Sequence, residues 1–200
     1  MGDTHGATAQ GRAGRAAMLA AMTPLQQTQH WFDKAVIGLN LCPFAKAVQA
    51  KDQIRWVQCD AQHPSALLET LVHELQTLAA ADPLRIDTTV LVHPQVLQNF
   101  LDFNDFLDVA DGALAELGLE GELQIASFHP GYRFEGTDDE DIGNFTNRSP
   151  HPTLHLLREA SIERAVQANP DAADVYERNI ATLQALGVEG WRRLMKGDTA

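Results

Sequence analysis

Three short apolar runs with strand character recur along the chain, and each leads into a turn or helix through the same dipeptide. Ile54 to Cys59 (IRWVQC) is followed by His63-Pro64, Asp87 to Val92 (DTTVLV) by His93-Pro94, and Glu122 to Phe128 by His129-Pro130. After the first run, Leu67, Leu68, Leu71, Leu75 and Leu78 mark one face of a helix over Pro64 to Ala81. After the second, Phe103, Leu107, Ala110, Leu114 and Leu117 do the same between Gln95 and Leu117, which Gly118 closes. A fourth His-Pro, His151-Pro152, stands before a stretch read as helix from Thr153 to Asn169. Strands alternating with helices predict βαβ units. The expected fold is therefore α/β: a small, mostly parallel sheet of three strands plus one short extra, with helices on both faces. Proline sets φ for a first helical turn and the polar residue before it caps the helix, which explains the dipeptide structurally. Its functional reading is that His93 and His129 lie at one sheet edge and converge, since ligands of such sheets bind beyond the carboxyl ends of the strands.

Extra helices flank this rhythm. Thr23-Pro24 is a helix start, with Leu25, Thr28, Trp31, Phe32, Ala35, Val36 and Leu39 at helical spacing. A C-terminal helix is expected from Asp171 to Leu186, ended by Gly187, with Trp191 packing back from the tail. Residues 1–22 are small, Gly/Ala-rich and weakly basic, and are expected to form a disordered tail or an over-extended start before Met18 or Met22. The remainder, 23–200, is read as one domain, because 44% apolar content suffices for one sizeable core and no linker composition divides it.

The net charge of −12 is concentrated. Between Asp102 and Asp141 there are twelve carboxylates and one basic residue, Arg133, which argues against nucleic acid or an anionic membrane as partner. Asp102, Asp105, Asp108 and Asp111 recur every third residue, but that period drifts around a helix, so they read as a solvated flank. No apolar run reaches the roughly 18 residues of a membrane span. Two cysteines, Cys42 and Cys59, are the usage of a reduced cytoplasmic protein.

Chemistry gathers in two places. Between His129 and Pro152 lies a long aperiodic loop carrying Tyr132, Arg133, Phe134, Asn144, Phe145, Asn147 and Arg148, a set suited to ligand recognition. Phe134 and Phe145 are expected to anchor it as an ordered cover over the sheet. The second place is LCPFAKAV, where Pro43 suits the first position of a short helix and leaves Cys42 at its cap. The amides of Phe44 and Ala45 would then face the sulfur and lower its pKa, making Cys42 rather than core-facing Cys59 the reactive thiol. Downstream, His151, His155 and Glu159 are spaced to share one helix face if helical geometry begins early enough.

WFDKAVIGLNLCPFAKAV, LVHPQVL, FLDFNDFLDVAD, ASFHPGYRFEG and DIGNFTNRSPHPTLHLLREASIERAV together resemble the bacterial family catalogued as domain of unknown function 1415. The resemblance runs from about residue 25 to about residue 192 and implies a single compact domain, with no activity to carry over. Three functions fit the residues. One is an enzyme on a small anionic substrate, with Cys42 as nucleophile, His129 or His155 as base, Asn147 polarising a carbonyl, and Arg133 and Arg148, with Tyr132 and Asn144, binding the substrate. Another is a metal-dependent enzyme with His93, His129, His155 and Glu159 as ligands. The third is a non-catalytic domain that binds another protein. A small-molecule ligand is expected, and the cofactor is left open.

Overall fold

The computed structural model describes residues 21–168 and 175–196. One sheet contains β1 (Ile54–Gln58), β2 (Thr88–Val92), β3 (Leu123–Phe128) and β4 (Thr153–Arg158), in the order β1-β2-β4-β3. Among the described residues six α-helices pack with it: α1 (Pro24–Trp31), α2 (Ala45–Ala50), α3 (Pro64–Ala80), α4 (Phe100–Glu116), α5 (Glu159–Ala168) and α6 (Val175–Met195).

The expectation of a mostly parallel sheet is corrected. β1 and β2 pair in parallel, but β4 is antiparallel to both β2 and β3. The three strands read from the sequence do run the same way, as their helical crossovers require. β4 slips between β2 and β3 and turns two of the three ladders antiparallel.

β4 also corrects the helix expected from Thr153. Thr153–Arg158 is strand, and helix begins only at Glu159. Leu154 and Leu156 are fully excluded from solvent on one face, and His155 points to the other. Pairing with a strand on each side satisfies every backbone group of an internal strand, and that non-local gain overrides a local helical pattern. His151, His155 and Glu159 therefore share no helix face: they precede, occupy and follow a strand.

α1 starts as its sequence requires. Thr23 accepts from the Gln26 amide while the Gln26 side chain returns to the Thr23 N–H, and Pro24 holds the first position. The chain continues without a stop into a π-helical turn, Phe32–Ile37, whose wider winding keeps Phe32, Ala35 and Val36 buried next to Trp31. Asn99 caps α4 through the amides of Leu101 and Asp102, and the four aspartates of that helix are exposed. In α6 the backbone breaks at Gly187, where φ is 65°, and Trp191 beyond it is buried edge-on to Phe145 at 5.2 Å. The Asp171 cap expected for that helix lies outside the described residues, as do residues 1–20 of the expected tail.

Two cores result, one on each face of the sheet. Leu67, Leu71, Leu75 and Leu78 of α3 meet Phe103, Phe106, Ala110 and Leu114 of α4 over Leu91, Leu123, Leu154 and Leu156. Burying each such side chain contributes roughly 2 kcal/mol. On the other face Trp31, Phe32, Ala35, Val36 and Leu41 pack with Leu183 and Trp191. Cys59 and Val57 belong to the first core and Trp56 to the second, as strand alternation predicts.

Candidate functional site

The alternation that sends Leu91, Leu154 and Leu156 into the first core turns Thr88, Val90 and His155 the other way. Cover on that second face is incomplete. Trp31 and Phe32 of the N-terminal helix overhang the strands together with the Cys42–Ala45 turn, leaving a cavity of about 870 Å³. This lies within the roughly 300–1,000 Å³ of small-molecule sites. Its wall is mostly apolar, while Lys51, Asp82 and Arg164 are exposed at its rim.

Cys42 is on this wall, half-buried. α2 begins at Ala45, so Cys42 lies in a turn before the helix, with the Ala45 N–H donating to the Cys42 carbonyl at 3.2 Å. Burial pushes the thiol up, and the amides of Phe44 and Ala45 pull it only part of the way back. The amides act on the sulfur as the sequence suggested, but the expected low pKa is corrected. Desolvation disfavours the thiolate more than two N–H groups favour it, and Cys42 rests as a neutral thiol.

His155 is fixed by its neighbour. The Thr88 hydroxyl donates to the Leu156 carbonyl at 2.6 Å, so its oxygen accepts from His155 Nε2–H at 2.7 Å. With Nε2 carrying the proton, Nδ1 is the lone-pair acceptor of the ring. Burial holds the ring neutral, with its pKa lowered to about 4. Phe128 lies beside it at 6.3 Å between ring centroids, and Trp31 meets Phe128 edge-on at 5.5 Å.

The other histidines lie elsewhere. His93 is fully buried on the α3/α4 side, stacked on Phe103 at 5.7 Å, with Nδ1–H donating to Val96 O at 3.2 Å. Burial lowers its pKa to about 4. His129 also packs on Phe103, at 5.0 Å. Its Nδ1 accepts from the Gly131 amide at 3.0 Å and its Nε2–H donates to Leu97 O at 3.1 Å, so both nitrogens hold the turn after β3. Burial lowers this pKa as well. The sheet thus separates His93 and His129 from His155, and Glu159 opens α5. The metal set does not converge, and among the described residues no three His, Cys, Asp or Glu gather as ligands.

The long loop organises itself. Asn144, fully buried, accepts at Oδ1 from the Phe134 amide (3.0 Å) and the Thr137 hydroxyl (2.9 Å), and donates to Asp138 O at 2.8 Å. Asn147 donates to Ser127 O at 3.1 Å, tying the loop to β3. Arg148 donates to Tyr132 O (3.0 Å) and Asp139 O (2.7 Å) with its guanidinium over Phe145, and Arg133 pairs with the Asp139 carboxylate at 2.9 Å. The two arginines border a separate polar cleft with Asn99 and Gly131, and no residue lines both cleft and cavity. Of the side chains assigned catalytic, substrate-binding or metal-ligating roles from the sequence, Cys42 and His155 line the cavity.

Residues 23–193 match the family described as Protein of unknown function (DUF1415). The chain belongs to that family. Neither a curated protein nor a solved structure matches it. The matched span holds every cavity residue named above. Thr88, Trp31, Trp56 and Phe128 escaped the sequence reading because each sits in a pattern that core packing explains equally well. The available signal was a threonine and a histidine on neighbouring strands with no apolar partner required, and it needed the β2/β4 register, Val90 opposite His155, to be seen.

Proposed function

We propose that the chain is an enzyme that works through Cys42 on a small molecule whose apolar body fills the cavity over the open face of the sheet. The observation that supports it is that a thiol from the turn before α2 and an imidazole from β4 line the same apolar space. A neutral thiol is a poor nucleophile, so a base must take its proton as the substrate is attacked. His155 offers a lone pair at Nδ1, with Thr88 holding its Nε2–H. As Sγ bonds to an electrophilic carbon, the thiol proton passes to Nδ1 and from there to the leaving group. The Phe44 and Ala45 amides stabilise the negative charge that develops. Because Arg133 and Arg148 line a different cleft, the substrate suited to this site is largely apolar, where the sequence suggested a small anion.

A hydrophobic electrophile, N-benzyl chloroacetamide, tests this against iodoacetamide, with labelling read by intact mass and peptide mapping. Cys42 is expected to take the benzyl reagent faster than Cys59, which is buried beside Thr70 at 3.3 Å, and His155→Phe is expected to slow it about tenfold. Labelling of Cys42 only after denaturation would remove it from the chemistry.

A further inference from the structure

The cavity wall is apolar where it is buried and charged where it opens. Trp31, Phe32 and Val36 are buried in it, whereas Lys51, Asp82 and Arg164 are exposed at its mouth, with Asp87 and Ser161 half-buried on the same wall. The carboxylates of this mouth already have donors. The Leu84 amide donates to Asp82 Oδ1 at 2.9 Å, and the Ser161 hydroxyl donates to Asp87 Oδ1 at 2.6 Å. The cations have donors to spare. Arg164 Nη2–H donates to Ser161 Oγ at 2.9 Å, which uses one of several N–H groups on the guanidinium. Among the described residues the Lys51 ammonium has neither a hydrogen bond nor an ion pair.

A ligand that fills the apolar space and meets hydrated cations where it leaves that space is amphipathic. An ionised group pressed against the apolar wall would lose its hydration without replacement, whereas at the mouth it keeps water and gains the cations. The planar fork of a guanidinium matches a carboxylate, and an ammonium adds charge beside it. We infer that the cavity takes a molecule of the fatty-acid type, an apolar body ending in a carboxylate, with the carboxylate held at the mouth by Arg164 and Lys51. The inference rests on the cavity reading proposed above and names the substrate class for it. The carbon that Cys42 attacks belongs to the body of such a molecule, because a carboxylate is itself a poor electrophile. The cleft of Arg133 and Arg148 plays no part, since no residue lines both.

Decanoate, decanol and decylamine carry the same chain and differ in the head group. Binding of each to the full chain is measured by calorimetry near neutral pH, and each is also tested for slowing the labelling of Cys42 by iodoacetamide. Decanoate is expected to bind about tenfold more tightly than decanol, the combined effect of two exposed ion pairs, and to protect Cys42. High salt should remove most of that margin. Replacing both cations, Lys51→Gln with Arg164→Gln, is expected to bring decanoate and decanol to equal affinity. Both side chains are exposed, so this variant leaves the packed cores intact. Decanol or decylamine binding as tightly as decanoate would overturn the inference, as would an unchanged margin in the double variant. If decanol binds and protects Cys42 as well as decanoate does, the cavity reading stands and the head-group assignment falls. If none of the three binds, both fall.

Discussion

On the α3/α4 face, Leu91, Leu154 and Leu156 are fully excluded from solvent beneath Leu67, Leu71, Leu75 and Leu78, whereas on the opposite face Thr88, Val90 and His155 border about 870 Å³ of space. The same strands supply both surfaces, so the difference comes from what lies over them. α3 and α4 are each 17 residues long and carry apolar side chains at every turn, which lets them lie along the sheet and seal it. The other cover is pieced together from an eight-residue helix, a six-residue π-helical turn, the Cys42 turn with the six-residue α2, the ten-residue α5 and α6, which breaks at Gly187. Short or broken elements cover a sheet surface less continuously than two unbroken helices. One face therefore holds the fold together and leaves the other free to keep a void that a well-packed core would close.

Truncating a ring on each face should separate them most widely. Phe103→Ala, on the sealed face between His93 and His129, is expected to lose about 3–5 kcal/mol in urea denaturation. Phe128→Ala, whose ring already borders the cavity, should lose less than half as much. Equal losses would mean that the two faces are packed alike.

Acid acts on both faces together. His93 and His155 each titrate near 6.5 in the unfolded chain and at about 4 in the fold, because burial favours the neutral ring. The unfolded chain therefore takes up protons first. Stability is fully present above about pH 6.5 and falls between there and about pH 4, by on the order of 3 kcal/mol for each ring. Urea midpoints across that range check it. A ligand that fills the cavity should shift only the His155 share, and a flat profile would show that neither ring is held neutral.

Overpacking distinguishes the faces by a smaller margin. Ala110→Leu, in the sealed core, is expected to cost about 1–3 kcal/mol, whereas Ala126→Leu on the cavity wall should change stability by less than about 1 kcal/mol and abolish ligand binding. A large loss at residue 126 would mean that the cavity has no room to give.

The smallest expected effect on the global fold belongs to the loop. Removing the Asn144 carboxamide breaks three hydrogen bonds confined to residues 134–144, so Asn144→Ala should raise amide exchange across that loop and leave the sheet amides protected. Exchange rising throughout the sheet would show that the loop is part of the sealed face's stability.

Much of the frame was legible in the sequence because it is local. The helix start at Thr23-Pro24, the leucine stripe of α3, the turn at Gly187 and the strands ending near Gln58, Val92 and Phe128 follow from spacing and from residue chemistry within a few positions. The aspartates of α4 read correctly as a solvated flank for the same reason. Asn144, Asn147, Arg133 and Arg148 had the right chemistry for a ligand, but Asn144 and Arg148 bond within the loop, Asn147 to Ser127 O of β3, and Arg133 to the Asp139 carboxylate.

What the sequence determined alone is the alternation: which residues of each strand share a face, where helices start, and that Cys59 faces a core while Trp56 faces away. The tertiary structure decided which strands are neighbours. Thr153–Arg158 becomes strand because β2 and β3 present open edges on both sides of it, and pairing with residues 25 to 69 positions away outweighs a local helical pattern. That insertion places His155 against Thr88 and beside Phe128, lining the same cavity as Cys42, and it leaves His93 and His129 on the far side of the sheet against Phe103. The protonation of Cys42 was decided there too. A pKa depends on how much water the surrounding chain removes, and no spacing of residues along the sequence carries that quantity.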